Sequence, residues 1–294
     1  MLSRAVPVFT PQCVQVRNMA TLKDIHMRLK SVTNIRKITK TMKMVSAAKY
    51  NKAERELKAA RPYGAGARSF FEKAEVTQDE SKPNFLMLAL TSDRGLCGGV
   101  HSSISKSIRN KATDELKDKN VGIICVGDKS RQIISRTLSK SMLMHFVDIG
   151  KKPPVFADAS LIANNILQSD FEYDCAEMVY NRFKTVMSYQ TTHLPLFNQA
   201  SISGAEKLSL YDSLDDSVLQ SYNEFALASI IYMGLKEGAC SEQSSRMTAM
   251  DGATKNAGEM IEKLQLTYNR TRQAVITREL IEIISGAAAL KKAD

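Results

Sequence analysis

The sequence predicts an α/β protein: a central Rossmann-like α/β domain with a mainly parallel sheet, framed by a long antiparallel two-helix coiled coil built from both ends of the chain. Three observations carry this. The seven prolines, at 7, 11, 62, 83, 153, 154 and 195, leave two long proline-free tracts, 12–61 and 196–294. Each can hold an unbroken helix, because nothing in it removes a backbone donor or fixes φ against the helix. Apolar residues at heptad spacing run through both tracts. Between them the pattern changes to short apolar runs alternating with helical stretches, which implies parallel strands covered on both faces.

The elements follow in chain order. Residues 1–19 carry Arg4 and Arg17, no acid, and Pro7 and Pro11 among apolar and hydroxylated residues. That composition suits a mitochondrial transit peptide, with Ala20 as the expected mature start. Residues 20–62 form the first coiled-coil helix. Ile25, Leu29 and Val32, then Ile35, Ile38, Met42 and Val45, read as a heptad seam with one phase slip, and Arg61-Pro62 is expected to end a helix about 61 Å long. Residues 83–197 form the α/β domain. Strands are expected at Phe85 to Thr91, Val121 to Val126, Leu143 to Val147, 176–183 and 186–194, with helices near 99–118, 129–140 and 159–169. The last two strands, separated by Lys184-Thr185, read as a terminal antiparallel hairpin. Residues 213–290 form the second long helix, with Ser213 as its N-cap and Asp215 and Asp216 in the first turn. Ala257, Ile261, Leu264, Tyr268, Thr271 and Val275 are spaced 4,3,4,3,4 along it. The preceding stretch, Gly238 to Gly258, is crowded with small residues that let another helix approach closely. A continuous helix here would span about 115 Å, more than the diameter of any domain the chain could form. Its end, Leu280 to Leu290, is apolar nearly all round with Glu282 as its only charge, and calls for an enclosing socket.

Composition narrows the function. With 44% hydrophobic and 24% charged residues over 294 positions the chain can bury a real core, and a fully disordered protein is excluded. No apolar run reaches the roughly 18 residues of a membrane span. Five cysteines, at 13, 97, 125, 175 and 240, are dispersed without a Cys-x-x-Cys pair, so they read as reduced thiols. The net charge of +10 is concentrated: residues 20–62 hold twelve Lys or Arg against Asp24, Glu54 and Glu56, and everything after residue 62 is close to neutral. So dense a basic helix repels itself and favours an acidic partner. Nucleic acid is one such partner. However, no aromatic side chain occurs from 20 to 49, so base stacking has no support.

Catalytic chemistry is sparsely marked. Gly95-Leu96-Cys97-Gly98-Gly99 stands where a dinucleotide fold keeps its phosphate loop, but it is not G-x-G-x-x-G, and Asp93 beside it would repel a phosphate. A tight strand-to-helix turn is the favoured reading. Gly122 to Ser130 has phosphate-loop residues, yet its interior, Ile123 to Val126, is a strand. His26, His101, His145 and His193 are dispersed and suggest no metal site. Cys97 lacks a visible base. No catalytic, cofactor-binding or metal-ligating residue is therefore assigned. Two alternatives stay open beside an interaction role: a nucleotide-binding α/β enzyme with a coiled-coil oligomerisation arm, and a basic nucleic-acid scaffold.

Particular runs are recognisable. Met27-Arg28-Leu29-Lys30-Ser31-Val32, then Lys37 to Val45, the loop Asp93 to Gly99, and Ile276 to Ala289 all resemble the gamma subunit of F-type ATP synthase. The likeness covers Ala20 to Leu290, with small departures at Ile35 and Ser245. It implies a non-catalytic rotor shaft in a proton-translocating ATP synthase, without cofactors of its own. The implied partners are three alpha and three beta subunits per gamma, the delta and epsilon stalk subunits, and the membrane c-ring. It further implies that Lys40, Met42, Lys43, Arg246, Arg272, Gln273 and Thr277 contact beta, and that Leu280, Ile283, Ile284 and Leu290 form a tip in an apolar bearing. The leader, and the absence of a two-cysteine regulatory insert, favour the mitochondrial form, peripheral on the matrix side of the inner membrane.

Overall fold

In a computed structural model, the structure describes residues 21–79, 81–205, 207, 208, 211 and 214–290. The leader, Cys13, Ala20 and Ser213 lie outside them. The elements are α1 (Leu22–Lys73), β1 (Asn84–Leu90), α2 (Val100–Asp114), β2 (Asn120–Val126), α3 (Asp128–Ile134), β3 (Met142–Phe146), α4 (Phe156–Leu167), β4 (Cys175–Thr185), β5 (Ser188–Leu196), α5 (Gln199–Ser203) and α6 (Asp216–Leu290). Two compact units divide the chain. One comprises the described residues up to Lys37 and from Lys255 onward, the other Ile38–Thr254.

In the larger unit the five strands lie in the order β3-β2-β1-β4-β5. β1 pairs parallel with both β2 and β4, β2 parallel with β3, and β4 antiparallel with β5. The mainly parallel sheet and its terminal hairpin thus follow the expectation. Both faces are buried, as continuous apolar strands require. Phe85, Met87, Ala89, Ile123, Cys125 and Val179 pack against Ile104 and Ile108 of α2 and Ile134 of α3. On the other face Leu86, Leu88, Leu90, Ile124 and Met178 meet Ile162 and Ile166 of α4, Ala67 and Phe71 of α1, and Leu227, Ile230 and Ile231 of α6.

The helix expected to stop at Arg61-Pro62 does not. α1 runs through Pro62 to Lys73. Pro62 forfeits one backbone hydrogen bond, but the next turns carry Ala67 and Phe71, 3% and 4% exposed, into the core. That burial outweighs the local cost. Gly64 permits a close crossing with α6, since a Cβ there would stand 2.7 Å from Met233 Cβ.

The expected phase slip is also absent. Burial on α1 follows Ile25, Leu29, Val32, Thr39, Lys43, Ser46, Tyr50, Ala53, Leu57 and Ala60, which keep the heptad register of Ile25 with the exposed Arg36 in the position between Val32 and Thr39. Ile35, Ile38 and Val45, expected in the seam, are 51%, 58% and 50% exposed, and Met42 is half-buried. The reason is that the small-residue stretch of α6 accepts small and polar partners. Within the larger unit Thr254 Oγ1 donates to Thr39 Oγ1 at 2.8 Å and Lys43 Nζ donates to Asp251 at 2.7 Å. In the smaller unit Val32 packs with Ala257, Ile261 and Leu264, and His26 stacks on Tyr268. Rising numbers on one helix meet falling numbers on the other in each unit, so the helices are antiparallel. The α6 seam appears as read, with Ala257, Ile261, Leu264, Tyr268, Thr271 and Val275 the least exposed positions of their turns.

Candidate functional site

The glycine loop following β1 is a structural clasp. Asp93 accepts from the backbone N–H of Asp128 and of Asp148, both at 2.7 Å, joining the ends of three parallel strands. Leu96 and Gly98 take positive φ of 61° and 64°. The loop's carbonyls are then taken by α6. Ser245 Oγ donates to Cys97 O at 2.7 Å, and Arg246 donates through Nε and Nη2 to Gly95 O at 3.3 and 3.2 Å. Arg246 also grips Glu242, and the two are only 4% and 3% exposed. A Cβ at Gly98 would meet Ser245 Oγ at 3.2 Å. The space a phosphate would use is occupied by the chain's own helix, which is the turn reading of this loop.

Cys97 follows suit. Burial, reinforced by the nearby Glu242 carboxylate, pushes its thiol up to about 11, far from the thiolate a nucleophile needs. His101 is held below its ordinary value, chiefly by burial, while its Nε2 donates to Arg94 O at 3.0 Å. His193 bridges Ser107 Oγ at 2.6 Å and Glu177 at 3.1 Å. That line of Ser, His and Glu copies a hydrolase triad in outline only. Ser107 sits inside α2 where backbone N–H groups are committed to the helix, and Lys111 claims the same carboxylate at 2.7 Å. Among the described residues no group of three or more His, Cys, Asp or Glu gathers as a metal would require.

The residues expected to meet a partner divide sharply. Lys40, Arg272, Gln273 and Thr277 are exposed, with Thr277 Oγ1 bonded back to Gln273 O at 2.9 Å. Leu280, Ile283 and Ile284 are 54%, 67% and 66% exposed on the last turns of α6; the side chain of Leu290 lies outside the described residues. Lys43 and Arg246 are different, because each is engaged within the chain. Sequence spacing alone does not single out their partners, Asp251 and Glu242. The i,i+4 spacing of Glu242 and Arg246 was the available signal, but it does not tell a buried pair from a solvated one.

An α/β body whose loop is sealed by its own helix, and whose long helices present apolar and basic side chains outward, defines a structural subunit acting through its surfaces. Comparison gives the family. A family model described as ATP synthase matches residues 21–290. The chain is 61% identical to the mitochondrial ATP synthase subunit gamma of Drosophila melanogaster, covering 94% of this chain and 93% of that one. It is 55% identical to the mitochondrial ATP synthase F(1) complex subunit gamma of Rattus norvegicus, covering 92% and 100%. Its fold matches the central stalk of the Tetrahymena thermophila mitochondrial ATP synthase with a TM-score of 0.61 at 27% identity, over 74% of this chain and 99% of that one. The chain belongs to the gamma-subunit family of ATP synthases, the central stalk rather than the catalytic site.

Proposed function

We infer that the protein is the central rotor shaft of a proton-translocating F-type ATP synthase. It couples rotation of the membrane c-ring to conformational cycling of the catalytic beta subunits. The near-full-length match to mitochondrial gamma subunits carries this reading. The physical logic is differential contact. A single asymmetric shaft inside a head of three alpha and three beta subunits touches each beta differently, so each rotation step favours a different conformation at each nucleotide site. The exposed Lys40, Arg272, Gln273 and Thr277 supply polar contacts to beta, with Met42 beside them. Leu280, Ile283, Ile284 and Leu290 enter the apolar bearing. Lys43 and Arg246 contribute indirectly, by fixing α6 against α1 and against the glycine loop. Delta, epsilon and the c-ring are the partners of the α/β body, on the matrix side of the mitochondrial inner membrane. No described helix is long and apolar enough to cross a membrane.

The test is to purify the native complex and measure subunit composition and hydrolysis. One copy per three alpha and three beta subunits, with ATP hydrolysis by the assembly alone, is the expected result. Turnover of ATP by the free chain would refute the reading in favour of an enzyme.

A further inference from the structure

Within the 38–254 unit a cleft of about 210 Å³ opens between α1, the loop following β3, and α6. Six cations line it: Lys49, Lys52, Arg94, Lys151, Lys152 and Lys236. Two carboxylates face them, and both are already engaged. Glu56 accepts from Lys236 at 2.7 Å and stands 3.9 Å from Lys52, while Glu242 is held by Arg246. Lys151 pairs with Asp148. Among the described residues Lys49, Arg94 and Lys152 have no carboxylate within ion-pair distance.

Three unneutralised cations from three separate segments converge here, and their mutual repulsion favours splaying. The fold prevents it. The loop that carries Lys151 and Lys152 is tied down where Asp93 N donates to Ile149 O at 3.0 Å and Asp148 N donates to Asp93. Gly150 follows with φ +87°, so close to Ser92 that a Cβ would stand 2.7 Å from Ser92 Cβ, and Pro153-Pro154 stiffens the exit.

We propose that this cleft binds a ligand carrying two neighbouring phosphate groups. Lysine ammonium groups act as compact point charges suited to phosphate oxygens, and three unpaired cations match a pyrophosphate-type charge better than a single phosphate dianion. Ala53, Pro154 and Ala239 give the cleft an apolar wall for the organic part of such a ligand. The same chemistry is offered by a free pyrophosphate-type anion and by the headgroup of a two-phosphate lipid.

The test uses the full chain with two probes. Inorganic pyrophosphate is titrated calorimetrically, and phosphatidylcholine vesicles with or without diphosphatidylglycerol are co-sedimented. The variant Lys49→Gln/Lys152→Gln is compared with Lys117→Gln/Lys140→Gln, which removes the same charge from exposed positions outside the cleft. Pyrophosphate binding weakened about tenfold in the first variant alone assigns a free anion. Vesicle binding lost in the first variant alone, without pyrophosphate binding, assigns the lipid headgroup. Binding of neither probe, or equal weakening in both variants, overturns the proposal.

Discussion

Replacing Arg246 by alanine separates two roles for this side chain, contact with a partner and closure of the chain's own glycine loop. The structure gives the second. Arg246 is 4% exposed, donates to Gly95 O, and neutralises Glu242, itself 3% exposed. Its removal leaves Glu242 as an uncompensated buried charge, a change that costs about 3–5 kcal/mol. For a domain of 150–250 residues each kcal/mol lowers the melting temperature by about 2–4 °C, so a drop of about 6–20 °C is expected. The double variant Arg246→Ala/Glu242→Gln removes the stranded charge and should recover about half of that loss, because only hydrogen bonds and packing remain missing. The assay is thermal unfolding of the isolated chain followed by circular dichroism. An Arg246→Ala chain that melts within about 2 °C of the parent, yet fails in the assembled enzyme, would refute the internal role and return Arg246 to the partner surface.

Reversing Lys40 alone to Glu should lower coupled ATP synthesis while leaving the melting temperature unchanged; unaltered synthesis would sink the electrostatic contact with beta. Gly64→Ala should destabilise by about 1–3 kcal/mol through collision with Met233, and Met233→Ala in the same chain should restore part of it, as read by denaturant unfolding. The folded-state pKa of His101 lies below its ordinary 6.5, so its contribution to stability is complete above that pH and is lost progressively as pH falls from 6.5 toward the lower folded value, because the unfolded imidazole protonates first. A melting-temperature profile that declines on acidification in the parent, and less steeply in His101→Gln, is the expected result. Cys97→Ser should be nearly silent, since the thiol is buried with its pKa near 11; total loss of activity in a folded variant would reopen a nucleophilic role.

The sheet was legible because its strands are continuous apolar runs cut by helical stretches, and the α6 seam because its apolar spacing coincides with its burial. After Val32 the α1 seam departs from its most hydrophobic positions. Hydrophobicity alone favoured Ile35, Ile38 and Val45, whereas the seam is held by buried Thr39 and Ser46 and by the half-buried Lys43. Thr39 and Lys43 take their places there through Thr254 and Asp251, more than two hundred residues away, which no local pattern reveals. Pro62 misled for a related reason: the rule against helix-interior proline is local, and the anchoring of Phe71 is tertiary. The exposed apolar end of α6 and the basic concentration on α1 needed no folding at all to be read.

The polar stretch of the helix pair has a mechanical consequence. Leucine layers are interchangeable, so a coiled coil packed only by them can slide by a heptad and find equivalent contacts. Thr39 on Thr254 and Lys43 on Asp251 are not interchangeable. A seven-residue slide would bring Lys43 opposite Ser244 or Gly258, so its ammonium would lose the carboxylate of Asp251 and face no acid in its place. These pairs act as a key in a keyway: they add little to cohesion, but they make axial slippage under load a step uphill.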